Sequence, residues 1–202
     1  METTVNPIEY VTIEADDPAA ADVFYDKAFG LGGTVAVRAS HAPTSGFRGF
    51  ALSLVVSQPS TVDSGATTLK PVKKSFWGYG GTVQAPDGTI WKIATSSKKD
   101  TGPATRQVDS VVLLLGVENV KASKQFYVDR GLTVAKSFGS KYVEFDTAGS
   151  PVKLALYSRR AAAKDAGVEA AGTGSHRIVV SGRSESFTDP DGFVWEAASP
   201  ST

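Results

Sequence analysis

The chain has 202 residues, enough for one large domain or two small ones with a sizeable core. Its 21 Lys plus Arg balance its 21 Asp plus Glu, a net charge of zero that excludes the basic field needed for nonspecific binding of nucleic acid or an anionic membrane. The absence of cysteine excludes disulfides, a thiolate nucleophile and Cys-based zinc or iron–sulfur sites, and fits a reducing compartment. The first residues have no basic segment followed by an apolar one, and no apolar run approaches the roughly 20 residues of a spanning helix. The expectation is a soluble, cytoplasmic protein.

Residues 8–15 form a β-rich run. Asp17 is then a good N-cap, and Pro18 suits the first helical position, where its missing N–H costs nothing. The helix extends to Phe29, with Ala20, Val23, Phe24 and Ala28 at helical spacing, and Gly30 ends it. Strands are expected at 34–39 and 47–57, joined by a polar loop around 41–46. Ser60 with Asp63 starts a helical turn before Pro71. The aromatic segment Phe76-Trp77-Gly78-Tyr79 leads into a strand at 82–85, a Pro86-Asp87-Gly88 turn and a strand at 89–95. Residues 96–106 are polar, carry Gly and Pro, and read as linker. Beyond them come a strand at 108–115, a helix capped by Asn119 and running to Arg130, and Gly131 as its stop. Strands at 133–138, 141–146 and 152–157 precede a short helix at 159–166 between Ser158 and Gly167. A loop at 172–174 and strands at 177–181 and 193–198 finish the chain.

The two halves repeat one another. Pro190-Asp191-Gly192 and Trp195 echo Pro86-Asp87-Gly88 and Trp91 at an offset of 104 (195 − 91). Phe126-Tyr127 echo Phe24-Tyr25 at 102 (127 − 25), and Gly131-Leu132 echo Gly30-Leu31 at 101 (131 − 30). Ordered matches of this kind mean two copies of one βαβββ module, at 1–97 and 108–202, with 98–107 as the linker.

Such a duplicated unit, with a helix-borne Phe-Tyr before Gly-Leu and a terminal Pro-Asp-Gly-x-x-Trp, resembles the vicinal oxygen chelate superfamily. That group includes glyoxalase I, bleomycin-resistance and fosfomycin-resistance proteins and extradiol dioxygenases. The resemblance covers nearly the whole chain. It implies an α+β fold, two tandem βαβββ modules pairing into curved, mostly antiparallel sheets that form a ligand cup. It also implies a divalent metal in the cup, held by His, Gln or Glu from the first strand of a module and from the position after the terminal Trp. Those positions here are Tyr10, Ser110 (or Val112, counting back from Tyr127), Lys92 and Glu196. Only Glu196 is a hard oxygen ligand, whereas a catalytic site generally wants about three protein ligands. No metal cofactor is therefore expected. His176, opening a strand, could join Glu196 in a two-residue seed for a divalent metal, or be a hydrogen-bonded strand-end histidine. His41 lies in a polar loop and reads as solvated.

Strand alternation points Trp91 and Trp195 to one face and Lys92 and Glu196 to the other, which the resemblance places inside the cup. Charges there bind polar groups of a ligand or pair internally, with Tyr10 or with each other, because an unpaired buried charge is costly. Phe76, Trp77 and Tyr79 supply a stacking surface or plug the core edge. Phe50, Tyr142 and Tyr157 line the cavity or pack. The candidate ligand-binding set is Tyr10, Phe50, Phe76, Trp77, Tyr79, Lys92, Tyr142 and Glu196. Asp189 and Asp191 look like a carboxylate pair but sit in a hairpin turn and read as turn-formers. No Gly-x-Ser-x-Gly, P-loop, dinucleotide Gly fingerprint or His-Glu-x-x-His is present. The leading expectation is metal-independent binding, or sequestration, of a small hydrophobic or aromatic molecule in the inter-module cup. The alternative is a metal-dependent glyoxalase-like lyase, isomerase or dioxygenase with an atypical ligand set, and a dimerisation domain is third. A homodimer is compatible with each.

Overall fold

Helix starts follow the caps that the sequence offers. In the computed structural model, which describes residues 8–56, 66–75, 78–95, 108–182 and 185–198, Asp17 accepts from the Ala20 N–H at 2.9 Å. Asn119 accepts from Ala122 at 3.0 Å and Ser158 from Ala161 at 3.3 Å. The helices so opened are α1 (Pro18–Phe29), α2 (Val120–Asp129) and α3 (Arg159–Ala166). Left-handed Gly30 and Gly167 end α1 and α3. None of the described helices is long and apolar enough to cross a membrane.

The first half contributes strands β1 (Ile8–Ala15), β2 (Val35–Ala39), β3 (Thr44–Gly46), β4 (Phe50–Val56), β5 (Thr67–Ser75), β6 (Gly78–Gln84) and β7 (Ile90–Thr95). The second contributes β8 (Val108–Val117), β9 (Thr133–Phe138), β10 (Tyr142–Asp146), β11 (Val152–Ser158), β12 (Gly172–Gly174), β13 (Ile178–Gly182), β14 (Phe187–Thr188) and β15 (Val194–Ala197). One run is ordered β9-β10-β11-β8-β4-β7-β6-β5, and another β2-β1-β13-β15-β14. A single register pair, Ile8 with Val152, joins them. Most pairings are antiparallel; β1·β2, β8·β11, β4·β7 and β13·β15 are parallel. The architecture is α+β and mostly sheet.

Each run takes strands from both halves of the sequence. The long run joins β4–β7 of the first half to β8–β11 of the second through the antiparallel β4·β8 pair. The short run joins β1 and β2 to β13, β14 and β15 through β1·β13. Alternation along the strands sends Val11, Ile13, Leu52, Leu54, Trp91, Ile93, Leu113, Leu115, Leu154, Val180 and Trp195 into one core that both runs share with α1 and α2.

Two expectations need correction, and a third, the helical turn started by Ser60 and Asp63, lies outside the described residues; from Thr67 onward the chain is strand β5. Pro71 is tolerated there because β5 is an edge strand and its register shifts between Lys70 and Lys73. β6 begins at Gly78, earlier than expected, because glycines let neighbouring backbones close in. A Cβ on Gly80 would lie 2.4 Å from the Ile93 carbonyl. The loops expected at 41–46 and 172–174 contain β3 and β12, which pair antiparallel. A Cβ on Gly46 would meet the Ala171 carbonyl at 2.3 Å, so only glycine permits that approach.

Candidate functional site

The repeated motif builds two struts between helix and turn. Tyr25 of α1 donates to Asp87 Oδ2 at 2.6 Å, and Tyr127 of α2 donates to Asp189 Oδ2 at 2.7 Å. The two acceptors are not equivalent in the repeat: at the turn's offset of 104, Asp87 matches Asp191 and Asp189 matches Ala85, so the second module takes its carboxylate from the residue before the Pro-Asp-Gly turn. Asp189 Oδ1 also accepts the N–H groups of Asp191 and Phe193, each at 2.9 Å. Asp191 accepts from the Glu118 N–H and the Ser123 hydroxyl. These carboxylates hold the turn and the start of α2, so neither is free for acid–base work. Burial, then the Asp87 and Asp189 carboxylates, push the Tyr25 and Tyr127 hydroxyls well above the usual phenol range.

The struts place each Trp against its helix and so turn the next residue to the opposite face. Trp91 lies 5.2 Å from the Tyr25 ring and 4.9 Å from Phe29. Trp195 stacks on Phe187 at 5.2 Å and donates to the Tyr127 hydroxyl at 3.2 Å. On the opposite face of the long run, Lys92 stands between Ser53 and Thr82 in register. Helix α3 packs over this face, with Ala163 and Ala166 against Phe47, Ala51 and Ile90. From α3, Asp165 forms an ion pair with Lys92. Both groups keep contact with solvent, so Lys92→Met is expected to change stability by less than about 1 kcal/mol, checked by thermal melting.

Beyond α3, this face opens into a cavity of about 360 Å³. Phe47, Ile90, Val168 and Ala171 give it apolar walls, and Arg48, Gln84 and Glu169 are its charged and amide groups. Arg48 donates from Nη2 to the Asp87 carbonyl at 2.7 Å. Phe50 belongs to the shared core, is 2 % exposed, and touches the cavity only as wall.

The corresponding face of the short run carries Tyr10, Glu14, Arg38 and Glu196. Glu14 and Arg38 are register partners on β1 and β2. Arg38 Nε donates to Glu14 at 2.9 Å, and its Nη1 donates to Glu196 at 3.1 Å. Tyr142 lies far from this group in the sheet order, at β10, where its hydroxyl donates to Glu144 at 3.0 Å and its ring meets Tyr157 edge-on. Phe76, Trp77 and the side chain of Tyr79 lie outside the described residues.

No protein-family model matches the sequence, and no curated protein matches it. Solved structures do match its architecture. A single-residue variant of glyoxalase I from Zea mays superposes with a TM-score of 0.63 at 13% identity, covering 95% of this chain and 92% of that one. Glyoxalase I from Zea mays itself gives 0.62 at 12%, covering 94% and 91%. A candidate dioxygenase from Bacillus subtilis subsp. subtilis str. 168 gives 0.59 at 12%, covering 94% and 83%. The chain has the vicinal oxygen chelate fold.

The sequence resemblance singled out the residues after the two tryptophans as places to test for a metal. Lys92 is a cation committed to Asp165. Both oxygens of Glu196 face the Arg38 guanidinium, at 3.1 and 3.3 Å. His176 does not join Glu196: its Nδ1 lies 2.6 Å from the Arg48 carbonyl, its Nε2 2.8 Å from the Asp191 carbonyl, and its ring stacks on Phe193. Among the described residues no three His, Asp or Glu side chains are grouped to hold a metal. The side chains singled out for a metal, Lys92, Glu196 and His176, therefore do not fit a divalent ion.

Alternation set Lys92 and Glu196 on the strand face opposite the tryptophans, where they lie, but did not reveal Asp165 and Arg38 as their partners. A signal for Arg38 existed, since it is the one charged residue in β2, and alternation sets Glu14 on the face of Tyr10. Asp165 sits in a helix whose position over the sheet no local pattern reveals.

Proposed function

We propose that this chain binds a small, largely apolar molecule without a metal, in the cavity bounded by Phe47, Ile90 and Val168. The observation that carries the reading is that both charges following the tryptophans are used internally, Lys92 by Asp165 and Glu196 by Arg38. A volume of about 360 Å³ falls at the lower end of the roughly 300–1,000 Å³ typical of ligand pockets. The apolar walls favour a single ring or short branched chain, and Arg48, Gln84 and Glu169 offer both donors and acceptors to orient it.

The test is titration of a panel of phenols and monocyclic aromatic acids, in excess chelator, followed by ligand-observed NMR and thermal melting. Saturable binding is expected with chelator present, and Val168→Trp, which fills the cavity, should weaken it at least about tenfold, a loss of roughly 1.4 kcal/mol. Binding that appears only when a divalent metal is added would contradict the proposal.

A further inference from the structure

One arginine borders the cavity with its charge unspent. Arg48 is the only cation among the described residues that line it. Its Nη2 donates to the neutral Asp87 carbonyl at 2.7 Å. The guanidinium lies against Gly88, where a Cβ would sit 2.7 Å from Nη2 and 3.1 Å from Cζ, so a glycine makes its seat. Nη1 is closed off from solvent and has no hydrogen-bond partner among the described residues. None of the ion pairs among those residues includes Arg48.

The carboxylates whose charge reaches Arg48, Asp87 and Asp16, are engaged elsewhere. Asp87 accepts from the Tyr25 hydroxyl at 2.6 Å and from the Thr89 N–H at 2.8 Å. Asp16 accepts from the Arg177 guanidinium at 3.3 Å. Glu169 lines the cavity but forms no ion pair with Arg48, and Gln84 spends an amide N–H on the Gly88 carbonyl at 3.1 Å. Burial pulls the Arg48 guanidinium below its ordinary value. The opposing pull of the Asp87 and Asp16 carboxylates does not make up the difference, and the Arg177 charge adds to it.

We infer that the molecule bound in this cavity is an organic anion, a monocyclic aromatic or branched-chain monocarboxylate, and that Arg48 is the residue that selects it. The inference rests on the cavity reading above and narrows it from apolar molecules in general to acids. A guanidinium taken out of water without a carboxylate of its own is costly to keep. An anion in the cavity offsets that cost without touching Nη1 itself, because charges act over a longer range where the surroundings are of low polarity. Phe47, Ile90 and Val168 take the ring or branched chain, while Glu169, of opposite sign to Arg48, disfavours a second negative charge on the ligand.

The experiment is ligand-observed NMR titration, in EDTA, of the wild type, Arg48→Met and Arg48→Lys with benzoate and with benzamide, its neutral counterpart of the same shape. The wild type is expected to bind benzoate at least about tenfold more tightly than benzamide, the scale of one charged contact. Arg48→Met should lose that preference and keep its benzamide affinity, and Arg48→Lys, which keeps the charge, should retain most of the preference. Thermal melting shows whether each variant is folded, and the wild-type ratio decides by itself if Arg48→Met is not. Overturning results are a wild type that binds benzamide as tightly as benzoate, or a folded Arg48→Met that still prefers benzoate. Either result contradicts the choice of an anion and leaves the cavity reading standing. Binding of neither probe, nor of any phenol or acid of the panel, overturns the cavity reading and this inference with it.

Discussion

Trp91→Ala is expected to cost about 3–5 kcal/mol of stability, the range for deleting a large aromatic side chain from a packed core. Trp91 is fully buried, with the rings of Tyr25 and Phe29 about it. The site cannot collapse to fill the void, since its floor is the β4·β7 ladder and its roof is a helix fixed by the Tyr25–Asp87 bond. The contact also spans the two runs, because α1 follows β1 in the short run while Trp91 belongs to β7 in the long one. Against a total of about 5–15 kcal/mol for a native domain, such a loss would leave a visible unfolded population. Urea unfolding measures it, and a change below about 1.5 kcal/mol would mean that this side chain is not the packing centre assigned to it.

Asp189→Ala should cost a similar amount, about 3–5 kcal/mol, for a different reason. Nothing large is removed. What is lost is the one acceptor for the Tyr127 hydroxyl and for the backbone N–H groups of Asp191 and Phe193, in a site that is 5 % exposed. Leaving several donors buried without partners is more damaging than losing the bonds themselves. Asp189→Asn, which keeps one carbonyl oxygen for the two backbone donors, should cost less than the alanine variant. The same residue gives stability a pH dependence. Burial raises the Asp189 carboxyl above its ordinary value of 3.8, and outweighs the opposing pull of the Tyr127 and backbone hydrogen bonds. A raised folded value means that the native state binds this proton more tightly than the unfolded chain. Its stabilising contribution is therefore complete below pH 3.8 and is lost as pH rises through the folded value. Unfolding free energies of wild type and Asp189→Asn, compared from about pH 3 upward, should show the wild-type advantage shrinking with pH.

Local chemistry made much of this fold legible. Asp17-Pro18 and Gly30 bracket α1, and Ser158 and Gly167 bracket α3, because caps act within one turn of the chain. Alternation alone settles that Lys92 and Glu196 face away from the tryptophans. Partner choice is another matter. Lys92 meets Asp165 across 73 residues and Arg38 meets Glu196 across 158, and no periodicity carries such information. Strand pairing is hidden for the same reason: hydrophobic alternation marks β4 and β8 as strands but not as neighbours. Two three-residue strands were invisible, since Thr44-Ser45-Gly46 and Gly172-Thr173-Gly174 have no apolar face to show, only glycines that let two backbones touch.

The most direct test of metal-independent function is the metal content of untagged protein, followed by melting with and without chelator and with added Ni²⁺, Zn²⁺, Mn²⁺ and Fe²⁺. Ion pairs at Lys92 and Glu196 predict substoichiometric metal and a melting temperature unmoved by chelator or by any of the four ions. One tightly held ion per chain, with a chelator-sensitive melt, would contradict it. An ion at 100 times its dissociation constant stabilises the native state by about 2.7 kcal/mol, so the two results are easily told apart.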